Sequence, residues 1–357
     1  MKKTLFPWTD MPAGFIKRYL LPLPASLAGL ERLIRLADEP LVHVFYHTVS
    51  DDYLPHVSPL YRPKNIREFK ADMDFLLKHF RPVSLNDVLR HVQKEKILSA
   101  PSFHLSFDDG LKEIYEVVFP VLWQKGIPAT LFVNSDFVDN KDLFFRYKAA
   151  VLTDRMTQRP VSPPLTDSIR KRLMASGIKK ASVQSMLLHV NYGNCTVLDE
   201  IAAALDLDFS AFLREKRPCL TSGELKTMQQ SGFSIGGHSI NHPNYFLLPE
   251  EEQVRQTLAS CSFVQKHFPE PHTCFAFPFS DEGVKPSFFK SIYGAVDLTF
   301  AASGINTAFQ GRHRGRIDME TYGKNAKQCI YRAYMTNVLK KYRFHSPLSA
   351  SDSTGAF

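Results

Sequence analysis

Short, largely apolar runs alternate with stretches of helical periodicity along most of the chain, which predicts β-strands separated by helices. The first run, Leu41–His47 (LVHVFYH), gives way to polar Thr48–Asp52, as expected for a buried strand ending in a loop. From Asn65 to His79, Ile66, Phe69, Met73, Leu76 and Leu77 recur at helical spacing. A short strand and helix are expected over Pro82–His91, then a strand at Phe103–Phe107 (FHLSF) that stops at Asp108-Asp109-Gly110. Ile114, Val117, Val118 and Leu122 mark a helix ending before Gly126, and Ala129–Asn134 (ATLFVN) is strand again.

From about 141 to 218 the alternation lapses. Helical-looking patches, a turn rich in proline (Pro160, Pro163, Pro164) and the small-residue run Ala202–Ala204 indicate an inserted, mostly helical lobe. The pattern resumes with a helix at Ser222–Ser231, capped by Thr221 or Ser222 with Glu224 in its first turn. Strand FSIGG, helix Glu250–His267, strand Thr273–Phe277, helix Pro286–Ile292 and strand Val296–Ala301 follow. Such repetition predicts an α/β fold, a parallel sheet covered by helices and either open or closed into a barrel. In these folds the reacting groups collect at the carboxyl ends of the strands. The expected organisation is an N-terminal extension (1–40), a barrel (41–140 and 219–320), the helical insertion (141–218), a basic C-terminal helix (321–345) and a flexible tail (346–357).

Composition narrows the class only slightly. A hydrophobic fraction of 44% over 357 residues is ample for a core and argues against disorder. The five cysteines are widely spaced with no CxxC pair, so reduced core thiols are expected rather than a disulfide framework. The longest apolar run near the start, Tyr19–Leu30, spans 12 residues and carries Pro22 and Pro24, short of the roughly 18 needed to cross a bilayer. A soluble, cytoplasmic protein is expected, with peripheral membrane contact through this Lys-flanked start as a variant. The net charge of +8 is concentrated. Between Gly311 and His345, nine Lys or Arg face only Asp318 and Glu320, an excess of 7. That suits either a solvated basic face or an anionic partner such as a phosphate-bearing sugar carrier. No nucleic-acid recognition motif accompanies it.

Two polar clusters stand just past predicted strands. Adjacent Asp108 and Asp109 repel each other near a core and need a cation or proton between them, unless they serve as a helix cap and first-turn acid. His238 and His242, spaced four apart after FSIGG and followed by Pro243, place both imidazoles on one face of a helical turn, within reach of one divalent ion. Alone, such a pair is often only two surface histidines. Two imidazoles and one carboxylate together form a three-ligand set with a coordination position left for water, and a second carboxylate beside it as base. Zn2+ is the first choice for those donors.

The segment SFDDG, then a helix and LFVN, then GFSIGGHSINHP, resembles the NodB-homology polysaccharide deacetylases, whose hallmarks are (T/S)FDDG and H(S/T)xxHP motifs on a distorted (β/α) barrel. FYHTVSDD and PVSLNDVL also resemble the opening of such chains, and the likeness runs from about Leu41 to Ala302 around the insertion. The resemblance implies a metal-dependent hydrolase that removes N-acetyl groups from N-acetylated sugars in a polysaccharide, oligosaccharide or carrier-linked precursor. It implies Asp108 as general base, Asp109, His238 and His242 as metal ligands, and the backbone of Phe279 as an oxyanion donor.

Three departures bear on this expectation. Ala276 stands near the place of an arginine that orients the base, Phe279 replaces a common tyrosine, and no late LxH histidine aligns to serve as general acid. His313 and His47 are the candidates for that acid, with His47 also a candidate substrate contact. His313 fits a surface histidine among arginines better than it fits the acid, and His43 fits a structural one. The departures leave a second reading open, a catalytically impaired sugar-binding protein on the same fold, and a third, a hydrolase of another amide or ester.

Overall fold

The computed structural model describes residues 29–343 apart from 96, 310 and 322. The N-terminal part of the extension, residues 1–28, and the tail 346–357 lie outside the described residues. Helix α1 (Leu30–Ala37) leads into β1 (Leu41–Tyr46), every residue of which is buried. Helix α2 (Ile66–His79) starts at a reciprocal cap between Asn65 and Glu68, and buries Phe69, Met73 and Leu76. After β2 (Arg81–Pro82) and α3 (Leu85–Val92), β3 (Ser102–Phe107) is again buried throughout. A π-helical turn (Ile114–Val118) runs into α4 (Phe119–Lys125), which ends on Gly126 in the left-handed region, and β4 (Ala129–Val133) follows.

Five helices then interrupt the alternation: α5 (Phe145–Gln158), α6 (Pro163–Ala175), α7 (Val183–Leu187), α8 (Val197–Ala204) and α9 (Phe209–Lys216). They share a core of their own around Leu152, Ile169, Leu187 and Ile201, which extends to Leu54, Val57 and Leu111. The alternation resumes with α10 (Ser222–Gln230), capped by Thr221 and Glu224, then β5 (Ser234–Gly237), α11 (Glu250–His267), β6 (Cys274–Ala276), α12 (Pro286–Ile292) and β7 (Leu298–Ala301). Short strands β8 (Thr307–Ala308), β9 (His313–Gly315) and β10 (Ile317–Asp318), which hydrophobic patterning does not reveal, precede the C-terminal α13 (Ala326–Arg343).

All strand pairs are parallel except β8 with β9, and the order is β10-β1-β3-β4-β5-β6-β7-β9-β8, with β2 beside β3. Strands β9 and β10 are one run of chain separated only by Arg316. Its first half pairs with β7 (Phe300 opposite Arg314) and its second with β1 (Val44 opposite Ile317). Residues 313–318 therefore link the two ends of the sheet, giving the distorted (β/α) barrel that the motifs imply.

The alternating arginines here are tied into the fold, Arg314 and Arg316 buried and Arg312 half-buried. Arg312 donates to the carbonyls of Tyr293, Val296 and Asp297, and Arg314 reaches Glu39 and His43. His43, as expected, is structural: it is buried beside His104, with their Nδ1 atoms 3.4 Å apart. All five cysteines are free and four of them are buried. Among the described residues, no helix is long and apolar enough to cross a membrane.

Candidate active site

Asp108 and Asp109 follow directly on β3, at the carboxyl end of the sheet. Asp109 takes a left-handed φ of 68° and Gly110 one of 67°, so the chain turns sharply there. The turn sends the two carboxylates to different partners. Asp109 Oδ1 lies 3.4 Å from His238 Nε2 and 3.1 Å from His242 Nε2, and these three buried side chains bring ligand atoms within 4.8 Å of one another. Two donors about 2.0–2.1 Å from a tetrahedral ion sit about 3.3 Å apart, so the spacing fits. Asp109 Oδ1 is buried and accepts no hydrogen bond, as a carboxylate oxygen reserved for a cation would be.

The histidines do not converge by way of a helical turn. Residues 238–242 form a loop in which Ser239 and His242 have φ of 70° and 61°. Hydrogen bonds hold the loop instead. Asn134, just past β4, donates to the carbonyl of His238 and to Ser239 Oγ, which in turn accepts from the His242 N–H at 2.9 Å. His238 Nδ1 meets the carbonyl of Ala276 at 2.8 Å, and as a donor there it leaves Nε2 bare toward Asp109. His242 is positioned by rings, with Phe144 and Phe279 centred 4.1 and 4.6 Å away. Phe279 itself has a φ of 57°. Backbone strain of this kind costs about 1–3 kcal/mol per residue, and here it is gathered around one cluster.

Asp108 is gripped by Arg316, whose Nη1 and Nη2 each lie 2.7 Å from a carboxylate oxygen. The guanidinium is fully buried between the ring of Phe45, 4.4 Å away, and that of Phe132, 5.3 Å away. Burial acts to raise the pKa of Asp108, but Arg316, His238 and His47 outweigh it and hold the carboxyl below its usual range. An arginine thus grips Asp108 from the link between β9 and β10, where Ala276 on β6 offers none.

His47, past the end of β1, shares the same cavity, together with Tyr61, Tyr147, Arg146 and Phe277. The cavity measures about 370 Å³. Glu320 chelates this turn, accepting from the backbone N–H groups of His47 and Thr48 and lying 2.6 Å from His47 Nδ1. Burial lowers the His47 pKa, but Glu320, with Asp109 and Asp108, overrides it and pushes the value up to about 10.

Residues 95–288 match the family model described as polysaccharide deacetylase, more than half of the 357-residue chain. The chain belongs to the polysaccharide deacetylase family. This deacetylase is accordingly a hydrolase of carbon–nitrogen bonds other than peptide bonds. Its fold resembles that of the Streptococcus pyogenes deacetylase PplD in complex with acetate, at a TM-score of 0.52 and 13% identity over 84% of this chain and 96% of that one. IcaB from Ammonifex degensii (0.51, 17% identity, 82% and 97% covered) and a de-N-acetylase from Aggregatibacter actinomycetemcomitans (0.52, 14% identity, 82% and 99% covered) are similar to the same degree. At such identities the likeness is one of fold. No protein of curated function matches the sequence.

Asp108, Asp109, His238, His242, His47 and Phe279 all line the deacetylase's cavity. His313 does not. It is neither a surface histidine nor a cavity one, being buried on β9 with Nε2 3.0 Å from Asp281 and Nδ1 2.9 Å from Thr299. Four residues of the site escaped sequence reasoning: Asn134, Tyr147, Arg316 and Glu320. Tyr147 comes from α5 and donates its hydroxyl to Asp109 Oδ2 at 2.6 Å. Only Asn134, placed immediately past a strand end, carried a usable signal.

Proposed function

We propose that this deacetylase removes N-acetyl groups from N-acetylated sugars in a metal-dependent hydrolysis. Asp109, His238 and His242 would hold a divalent ion, with Zn2+ the first choice for two imidazoles and one carboxylate. When bound, such an ion supplies the Lewis acidity that makes water nucleophilic near neutral pH and polarises the amide carbonyl. The observation carrying the proposal is the convergence of those three ligand atoms in one cavity with an independently tethered carboxylate, Asp108, beside them.

Asp108, ionised and immobilised by Arg316, is the base that takes a proton from the attacking water. The charge that develops on the acetyl oxygen falls near the Phe279 turn, whose backbone N–H is its donor; one such donor is commonly worth about 3–4 kcal/mol. His47, held protonated by Glu320, delivers a proton to the departing amine. Base and acid are thereby set apart by their partners, one carboxyl stabilised as the anion and one imidazole as the cation. Residues 41–140 and 219–320 form the catalytic barrel, and 141–218 a lobe inserted into it that closes one side of the cavity with Phe144, Arg146 and Tyr147.

The test is acetate release from chitooligosaccharides and acetylated sugar precursors, measured on the metal-analysed protein before and after chelation, with Asp108→Asn alongside. Loss of release on chelation, restored by Zn2+, and loss in Asp108→Asn are expected. Release that persists in Asp108→Asn removes the base assignment. A folded, metal-loaded protein that binds the sugar but releases nothing favours the impaired sugar-binding reading.

A further inference from the structure

The basic segment singled out by the sequence divides in two. Arg312, Arg314 and Arg316 are engaged within the barrel, whereas the cations on and just before α13 border a second cavity, of about 260 Å³, lined by Lys324, Arg332, Thr336, Lys340 and Ser303. Ala302, Arg316 and Asp318 line this cavity and the catalytic one alike, so the two share a wall. Arg332, Thr336 and Lys340 recur every fourth residue and so present one face of α13. Neither Arg332 nor Lys340 has an ion-pair partner among the described residues. Across the groove, the hydroxyl of Ser303 is buried without a hydrogen-bond partner. Asp318 is the opposing acid, and its Oδ1 already accepts from the N–H of Glu320 at 2.8 Å. Arg316 is neutralised by Asp108, so Arg332 and Lys340 against the single carboxylate of Asp318 leave the groove positive.

We propose that this groove binds an anionic group, phosphate or carboxylate, carried by the same glycan whose acetamido group enters the catalytic cavity. The guanidinium fork of Arg332 matches two oxygens of such a group, Lys340 adds a point charge, and Thr336 offers a neutral donor. Binding energy gained there, away from the reacting amide, would select charged substrates and hold them in register. The inference rests on the deacetylase reading above and specifies its substrate class.

The test uses the full-length, metal-loaded protein and three trisaccharides of N-acetylglucosamine: neutral, phosphorylated at the reducing end, and ending in a uronic acid. A KM at least tenfold lower for one of the charged substrates at low salt is expected, and which one it is identifies the anion. The Arg332→Gln/Lys340→Gln variant should bring the charged-to-neutral KM ratio close to one. Raising the ionic strength well above 0.1 M, where the screening length falls below about 10 Å, should weaken the preference in the unmodified protein. Equal KM values for all three substrates, or a ratio unchanged in the double variant, would overturn the proposal. If none is hydrolysed, the deacetylase reading fails on its own, and calorimetric titration with inorganic phosphate then decides. Binding lost in the double variant supports the groove; absence of binding to the unmodified protein rejects it.

Discussion

Arg316 holds both carboxylate oxygens of Asp108 from the one residue at which the closing segment 313–318 changes partner strand. A bidentate pair fixes orientation as well as charge. Because the folded pKa of Asp108 is depressed, the stability contributed by the pair is present above the ordinary carboxylate value of about 3.9 and is lost as pH falls through the folded value. Arg316→Lys keeps the charge but not the fork. Acetate release should fall by about 10²-fold, as for a base displaced from its working position. Its acid limb should also move to higher pH than in the unmodified enzyme. Arg316→Ala strands a buried carboxylate and should cost about 3–5 kcal/mol in denaturant unfolding. Coincident acid limbs for Arg316→Lys and the parent would show that the pairing does not set the protonation of Asp108.

His47 and Glu320 predict the other limb. With its pKa pushed up to about 10, His47 stays protonated across the neutral range and loses its proton only as pH rises through that value. Glu320→Gln removes the largest raising influence, so the alkaline limb of the pH–rate profile should fall toward the ordinary histidine value of about 6.5. His47→Ala should lower kcat on sugar amides by about 10²–10⁴-fold. It should affect far less an acetyl ester whose leaving group needs no proton. Equal losses on amide and ester would make His47 a substrate contact and not the acid.

Legibility in the sequence followed the range of the interactions. Strands β1, β3 and β4 were readable because burial on both faces favours short, largely apolar runs, and Asp108, Asp109, His238 and His242 because they stand at strand ends. Residues 307–318 were not readable. Arg312, Arg314 and Arg316 alternate with neighbours as an exposed strand would, yet the face they share is satisfied inside the fold by carbonyls, by Glu39 and His43, and by Asp108. Arg316 and Asp108 pair across 208 residues of sequence, beyond any local pattern. The His238/His242 pair was found through its spacing, but helical geometry was the wrong reason. Ser239 and His242 adopt left-handed backbone that spacing does not report, and Asn134 holds the loop from another strand.

Gly236 tests whether the floor under that loop is as tight as it looks. A β-carbon there would lie 2.6 Å from Phe132 Cε1 and 2.7 Å from Cys274 Sγ, below any normal contact. Phe132 cannot retreat freely, because it packs against Phe300 with ring centres 5.5 Å apart and lies under the Arg316 guanidinium. Gly236→Ala should therefore destabilise the protein by about 1–3 kcal/mol, seen as a lower denaturant midpoint. An unchanged midpoint would mean that the sheet relaxes around the added methyl.

Tyr147 ties the helical lobe directly to Asp109, the carboxylate proposed as a metal ligand. Its hydroxyl engages Asp109 Oδ2, leaving Oδ1 to face His238 and His242, and its ring packs on Phe144, which itself packs on His242. Tyr147→Phe keeps the ring and removes only the proton donor. An outer partner of this kind typically contributes 10–100-fold to metal affinity, so competition with a chelator should show Zn2+ held about that much more weakly. The position is fully lined by neighbours and the ring is retained, so the metal-free variant should unfold close to the parent. Asp109→Asn, by contrast, should abolish stoichiometric Zn2+ binding. If Tyr147→Phe binds Zn2+ as tightly as the parent while Asp109→Asn does not, the lobe contributes walls to the cavity but does not orient the carboxylate.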